Sequence, residues 1–167
     1  DLTGEAPHYV TPCEEQKTDA LTNLTLTTWL NLQSDTTGFH RLMSRQENHS
    51  RFPGFSWNLG EPNSGARSAA NFNLRLFIGG KNAFAAASST ADVNAGKRWV
   101  FLAVTYNSSL PNHHVRFYLG DEKSPVRLLG QPVTLNAGPI QPAAAWFYIG
   151  HTDASRDSDL APPGFMD

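Results

Sequence analysis

Short runs in which apolar and polar side chains alternate, separated by Gly, Pro, Asn and Asp, follow one another along the chain. A period of two is what a strand with one buried face produces, and helical periodicity is nearly absent. The clearest run is Leu24 to Leu32, where Leu24, Leu26, Leu30 and Leu32 fall on one face and Thr25, Thr27, Trp29 and Asn31 on the other. It reads as a central strand. Further runs follow at Phe39–Arg45, Phe55–Gly60, Asn71–Gly79, Trp99–Asn107, His114–Gly120, Val126–Leu129 and Ala145–Gly150, with Tyr9 and Val10 as a short opening strand. Eight or nine strands of this kind fit a β-sandwich.

Two stretches break the pattern. Phe84–Asn94 is rich in Ala and Ser but has neither an apolar stripe nor a helix N-cap, so it is expected to be a loop with a short strand. Glu61–Ser68 and Thr152–Gly164 are the loops richest in chain breakers, and loops on a rigid scaffold are where ligands are commonly met.

Three segments, in order, resemble the laminin-G-like jelly rolls of the concanavalin A-like lectin/glucanase superfamily. The first is LTLTTWL over Leu24–Leu30, similar to an early strand ending in Trp. The second is GKRWVFLAVTYN over Gly96–Asn107, followed by VRFYLGD over Val115–Asp121. The third is FYIG over Phe147–Gly150, leading through a loop to GFMD over Gly164–Asp167. The resemblance implies an all-β, concanavalin A-like jelly roll of two antiparallel sheets, with residues 1–167 as one domain. The family pattern would continue past Asp167 into a closing strand, so an unpaired sheet edge, and through it a homo-oligomer, is a further expectation.

Composition narrows the partners. Apolar residues make up 40% of the chain and charged residues 17%, enough to build a packed core. The formal charge is −2 with Lys and Arg dispersed, which leaves no basic footprint for nucleic acid. No run reaches the roughly 18 apolar residues of a membrane span. Cys13 is the only cysteine, which excludes an intrachain disulfide.

Glucanases of this fold place two carboxylates on one strand face, and no run here alternates acids in that way. The acids sit instead at Glu14, Glu15, Asp19, Asp121, Glu122 and between Asp153 and Asp159, in turn-like settings. Sequence signatures of nucleophile elbows, zinc proteases and phosphate loops are missing as well. The reading is therefore non-catalytic. His113 and His114 are neighbours that a strand would point to opposite faces, a poor chelate and more simply a solvated pair. Arg41 and Arg45 are expected on one strand face, where they could act together on a carboxylate or sulfate or, more plainly, pair with surface acids. Trp57 and Trp99 read as packing residues.

Glycan recognition needs aromatic faces and planar hydrogen-bonding groups. Alternation turns Trp29, Arg75, Arg116, Tyr118, Trp146 and Tyr148 away from the core, a set rich in aromatics and arginine, and also turns His114 outward. These six are the expected ligand-binding residues. The resemblance implies calcium as the cofactor, with Asp157, Asp159 and Asp167 as ligands, since hard cations want several oxygens. The expected function is a carbohydrate-recognition or adhesion module, secreted or extracellular and part of a larger protein. A protein-interaction or assembly domain is the alternative, and an accessory or catalytic domain of a polysaccharide-degrading enzyme the second.

Overall fold

The computed structural model describes residues 20–32, 40–46, 53–60, 71–145, 147–150 and 164–166. They form eleven strands and, among the described residues, no helix: β1 Asn23–Leu32, β2 His40–Arg45, β3 Gly54–Gly60, β4 Asn71–Gly79, β5 Phe84–Ser88, β6 Val93–Asn94, β7 Val100–Asn107, β8 Val115–Asp121, β9 Arg127–Leu128, β10 Tyr148–Ile149 and β11 Gly164–Met166. Every strand pairing is antiparallel. One sheet runs β11-β1-β7-β8-β9, and the other runs β10-β2-β3-β4-β5 with β6 also paired to β4. No helix among the described residues is long and apolar enough to cross a membrane.

The alternation seen in the sequence becomes the core. In the first sheet Leu26, Leu30 and Leu32 of β1 stand beside Val100, Leu102 and Val104 of β7 and Phe117 of β8, all buried. In the second, Phe55, Trp57 and Leu59 of β3 register with Ile78, Leu76 and Leu74 of β4. Both sets belong to one apolar cluster between the sheets. Each such side chain contributes about 1.5–3 kcal/mol when withdrawn from water, which is what holds the layers together. Thr28, in phase with the leucines of β1, is buried among them.

Four details depart from the sequence reading. Phe84–Asn94 is more ordered than a loop with one short strand: β5 pairs along β4 from Gly79 to Arg75, and β6 pairs with Asn71 and Phe72. Among the described residues of the run Ala145–Gly150, the strand is confined to Tyr148 and Ile149, against Ser44 and Met43, with the Gly150 N–H donating to the Leu42 carbonyl beyond it. His114 is not a solvated residue on an outer face. It precedes β8, is buried, and its Nδ1 accepts a hydrogen bond of 3.0 Å from the Leu135 backbone N–H, because the segment through Val133 lies alongside the start of β8. His113 beside it is exposed, with φ of 53°.

The fourth concerns the two arginines of β2. Arg41 registers with Asn58 and Met43 with Trp57, so the ladder slips at Leu42. The slip turns Arg41 to the outer face with Asn58 and leaves Arg45 in phase with Phe55 on the core side. The pair expected on one face is split between two, and Arg41 is completely buried. The opening strand at Tyr9 and Val10 lies outside the described residues. In the passage expected to precede a closing strand, Gly164–Met166 pairs with Leu32–Leu30 at the edge of the first sheet.

Candidate functional site

Residues opposite each other in an antiparallel ladder share a face, so register alone defines what each outer face presents. On the β10-β2-β3-β4-β5 sheet one cross-strand row is Arg41, Asn58, Arg75 and Ser88, and the next is Tyr148, Ser44, Ser56, Phe77 and Ala86. An outer face of a sandwich ordinarily carries solvated side chains. Here Arg41 and Ser44 are 0% exposed, Ser56 0% and Asn58 1%. Arg75, Phe77 and Ser88 are half-buried and Ala86 is exposed, so the face is closed over β2 and β3 and open over β4 and β5.

Polar groups withdrawn from water must be oriented by specific contacts. The Ser56 hydroxyl donates to Asn58 Oδ1. The Arg75 guanidinium carbon lies 4.9 Å from the centre of the Phe77 ring, a cation–π contact, and Phe77 in turn stacks on Phe84 at 6.0 Å and 21°. The Ser44 hydroxyl, buried in the same face, has no hydrogen-bond partner among the described residues. With strands about 4.8 Å apart, the row from Arg41 to Arg75 spans about 10 Å of backbone, the size of one or two sugar rings. No carboxylate stands on this face among the described residues.

The other sheet has a different outer face. Trp29 registers with Phe101 and Gly120, Thr27 with Ala103, Tyr118 and Leu128, and Thr25 with Thr105 and Arg116. The Trp29 and Phe101 rings meet edge to face at 5.5 Å and 64°. Leu128 is 39% exposed.

The structure therefore divides the expected ligand-binding residues. Arg75 and Tyr148 lie on the polar face, while Trp29, Arg116 and Tyr118 lie together on the opposite outside of the sandwich; Trp146 lies outside the described residues. Ser44, Ser56 and Asn58 were missed as members of a face, and Phe77, which alternation turns outward with Arg75, was left out of the expected set. Ser56 and Asn58 were legible, since the phase that buries Phe55, Trp57 and Leu59 turns them outward. Arg41 was expected on one strand face with Arg45, and the register slip separates the two. Trp57 is fully buried and Trp99 half-buried.

Asp157, Asp159 and Asp167 lie outside the described residues, and among the described residues no three His, Cys, Asp or Glu side chains assemble as a metal site. The described part of the fold thus forms no calcium site.

A family model described as the concanavalin A-like lectin/glucanases superfamily, of laminin-G type, matches residues 3–161. No curated protein matches the chain.

Proposed function

The chain belongs to the concanavalin A-like lectin/glucanase superfamily, and from that premise we propose that it is a non-catalytic carbohydrate-recognition module whose ligand lies over the outer face of the β10-β2-β3-β4-β5 sheet. The observation that carries this is the row Arg41, Asn58 and Arg75, flanked by Phe77 and Tyr148. Planar amide and guanidinium groups recognise sugar hydroxyls, aromatic rings take the apolar side of a pyranose, and the open side over β4 and β5 gives access. A glycan partner carries with it an extracellular setting.

Binding of the purified domain to a panel of polysaccharides, with calcium and again with EDTA, tests the reading. Retention of at least one polysaccharide, weakened by Arg75→Ala on the open side of the face, is the expected result. Loss on chelation would add calcium through Asp157, Asp159 or Asp167; absence of binding in both conditions would refute the module as a glycan binder.

A second reading has its own support. The Trp29, Phe101, Tyr118 and Leu128 face offers aromatic and aliphatic surface of the kind that protein interfaces use, so a protein partner on that side is the alternative. Sedimentation of the domain alone and with candidate partners checks it.

A further inference from the structure

Where β2 ends, Arg45 stands in phase with Phe55 on the core side of the sheet, half-buried. Its Nε is shut off from water and has no acceptor, and among the described residues no ion pair reaches the side chain. A guanidinium keeps its charge at any pH a folded protein meets, so it cannot shed this cost by losing a proton. A cation solvated on only part of its surface gains more from an anion than a fully exposed one does. Beside it opens a cleft of about 40 Å³ whose other walls are mostly apolar: Leu21, Phe55, Ile140, Pro142 and Ala143. Leu21 is 38% exposed, which leaves apolar surface uncovered there. Gly54 helps keep the space open, since a Cβ on it would lie 2.9 Å from the Ala143 Cβ. No carboxylate lines the cleft, and its other polar side chain, Gln141, has its amide nitrogen on the Pro139 carbonyl at 3.3 Å.

We propose that this cleft is a second binding site, separate from the outer sheet face, for a carboxylate attached to a short aliphatic group. The carboxylate pairs with the Arg45 guanidinium, and the aliphatic part lies against Leu21, Ile140 and Pro142. A carboxylate offers the two coplanar oxygens that a guanidinium holds together, whereas a neutral amide of the same shape forfeits one acceptor and the charge. The volume is well short of the about 150 Å³ that encloses a benzene ring, which points to a short branched chain instead of a ring. A free short-chain carboxylic acid and the C-terminus of a polypeptide ending in valine share this chemistry. The site needs nothing from the glycan reading, and each can fail without the other.

Isovalerate and isovaleramide, matched in shape, test the site. Each is titrated into the purified domain at about 0.15 M salt, where attraction between exposed charges is screened beyond about 8 Å, and the Leu21 and Ile140 methyl resonances are followed by NMR. The expected result is a saturable shift with isovalerate, with a Kd on the order of 1 mM for so small a ligand, and binding about ten-fold or more weaker for the amide. Arg45→Gln should abolish the shift. Arg127→Gln, on β9 of the other sheet, removes the same charge and should leave it intact. Should Arg45→Gln fail to fold, Arg45→Lys, which keeps the charge but not the planar fork, should weaken isovalerate by about five-fold, and undiminished binding in it overturns the site. A Gly-Gly-Gly-Val peptide with a free C-terminus separates the two sources: tighter binding than isovalerate assigns a chain end, weaker binding a free acid, and either supports the proposal. Equal binding of acid and amide overturns it, as do equal losses in the Arg45 and Arg127 variants, or no saturable shift up to about 20 mM.

Discussion

Arg41 and Arg45, four residues apart on one strand, stand on opposite faces of the sheet, because the pairing of β2 with β3 slips at Leu42 between Arg41↔Asn58 and Met43↔Trp57. Without the slip they would share a face, since strand side chains repeat every two residues. The slip puts a permanent cation into a closed layer and leaves a half-buried one at the core side, beside the backbone of Gly54. A small cleft of about 40 Å³ at that end of the sandwich is lined by Arg45, Gly54, Phe55 and Ile140 among others.

The two arginines should therefore differ in cost when truncated. Arg41→Ala empties the volume of a fully buried side chain and strips its donors from a water-poor layer, and should cost on the order of 3 kcal/mol in urea unfolding. Arg45→Ala, at a half-buried position, should cost about 1 kcal/mol or less. Equal costs would mean that the register slip is misplaced.

At Gly54 the backbone itself is the constraint. Its φ is +100°, a region that side chains with a Cβ rarely adopt, and a Cβ there would run into the Arg45 carbonyl oxygen. Gly54 opens β3 opposite Gly79 of β4, so strain at this point displaces the strand carrying Ser56 and Asn58. Gly54→Ala should lose about 2 kcal/mol or more of stability and weaken polysaccharide binding with it. A variant as stable as the parent would contradict the conformation described for this residue.

How much of this was written in the sequence depends on whether local pattern or long-range register decides. Period-two alternation located the strand of Leu24–Leu32 and predicted the burial of Trp57 from its phase with Phe55 and Leu59, because one buried face imposes that repeat wherever a strand pairs regularly. Arg45, expected on the same face as Arg41, escaped the same logic, since a register slip is a property of two strands together and leaves no mark on either alone. His114 escaped for a related reason: the group that buries it, the backbone of Leu135, is 21 residues away. Alternation says which side chains leave the core but not which sheet they leave from. For that reason Trp29 and Arg75 were grouped, although the pairing order puts them on opposite outsides of the sandwich.

Tyr106 ties stability to alkaline pH. Its hydroxyl donates to the Gly138 carbonyl at 2.6 Å, and burial pushes its pKa up to about 12. The unfolded phenol ionises near about 10, so between these values the unfolded state holds fewer protons than the folded one. The contribution is therefore complete below about pH 10 and is lost as pH rises toward 12. An ultraviolet titration should show one tyrosine ionising late, and Tyr106→Phe should remove that late step at a cost of about 1 kcal/mol near neutral pH. Its survival in the variant would assign the step to another tyrosine.

The Asp121 carboxyl works in the opposite direction. It accepts from the Lys123 and Ser124 backbone N–H groups at 2.9 and 2.7 Å and pairs with Arg98 at 2.9 Å. The Lys123 hydrogen bond, aided by Ser124 and the Arg98 charge, holds it below the usual carboxylate range against the opposing effect of desolvation. A depressed folded pKa means stability that is present above the ordinary carboxylate value and is lost as pH falls through the lowered one. Asp121→Asn should flatten the acid side of the stability profile; an unchanged acid limb would show that the turn after β8 does not depend on this charge.

Trp29 separates the two outer faces experimentally. Its ring meets Phe101 edge to face across β1 and β7, on the side of the sandwich away from Arg75. An aromatic pair of this geometry adds about 0.5–1.5 kcal/mol beyond the area it covers, so Trp29→Ala should lower stability by at least that much. If the glycan lies over Arg41, Asn58 and Arg75, the folded variant should bind polysaccharide within about two-fold of the parent, because no shared contact links the faces. A loss of about ten-fold with the fold intact would move the ligand to the β11-β1-β7-β8-β9 sheet and make Trp29, Tyr118 and Arg116 its contacts. Unchanged glycan binding joined to loss of a protein partner would instead mean that the sandwich uses both outsides, one for sugar and one for protein.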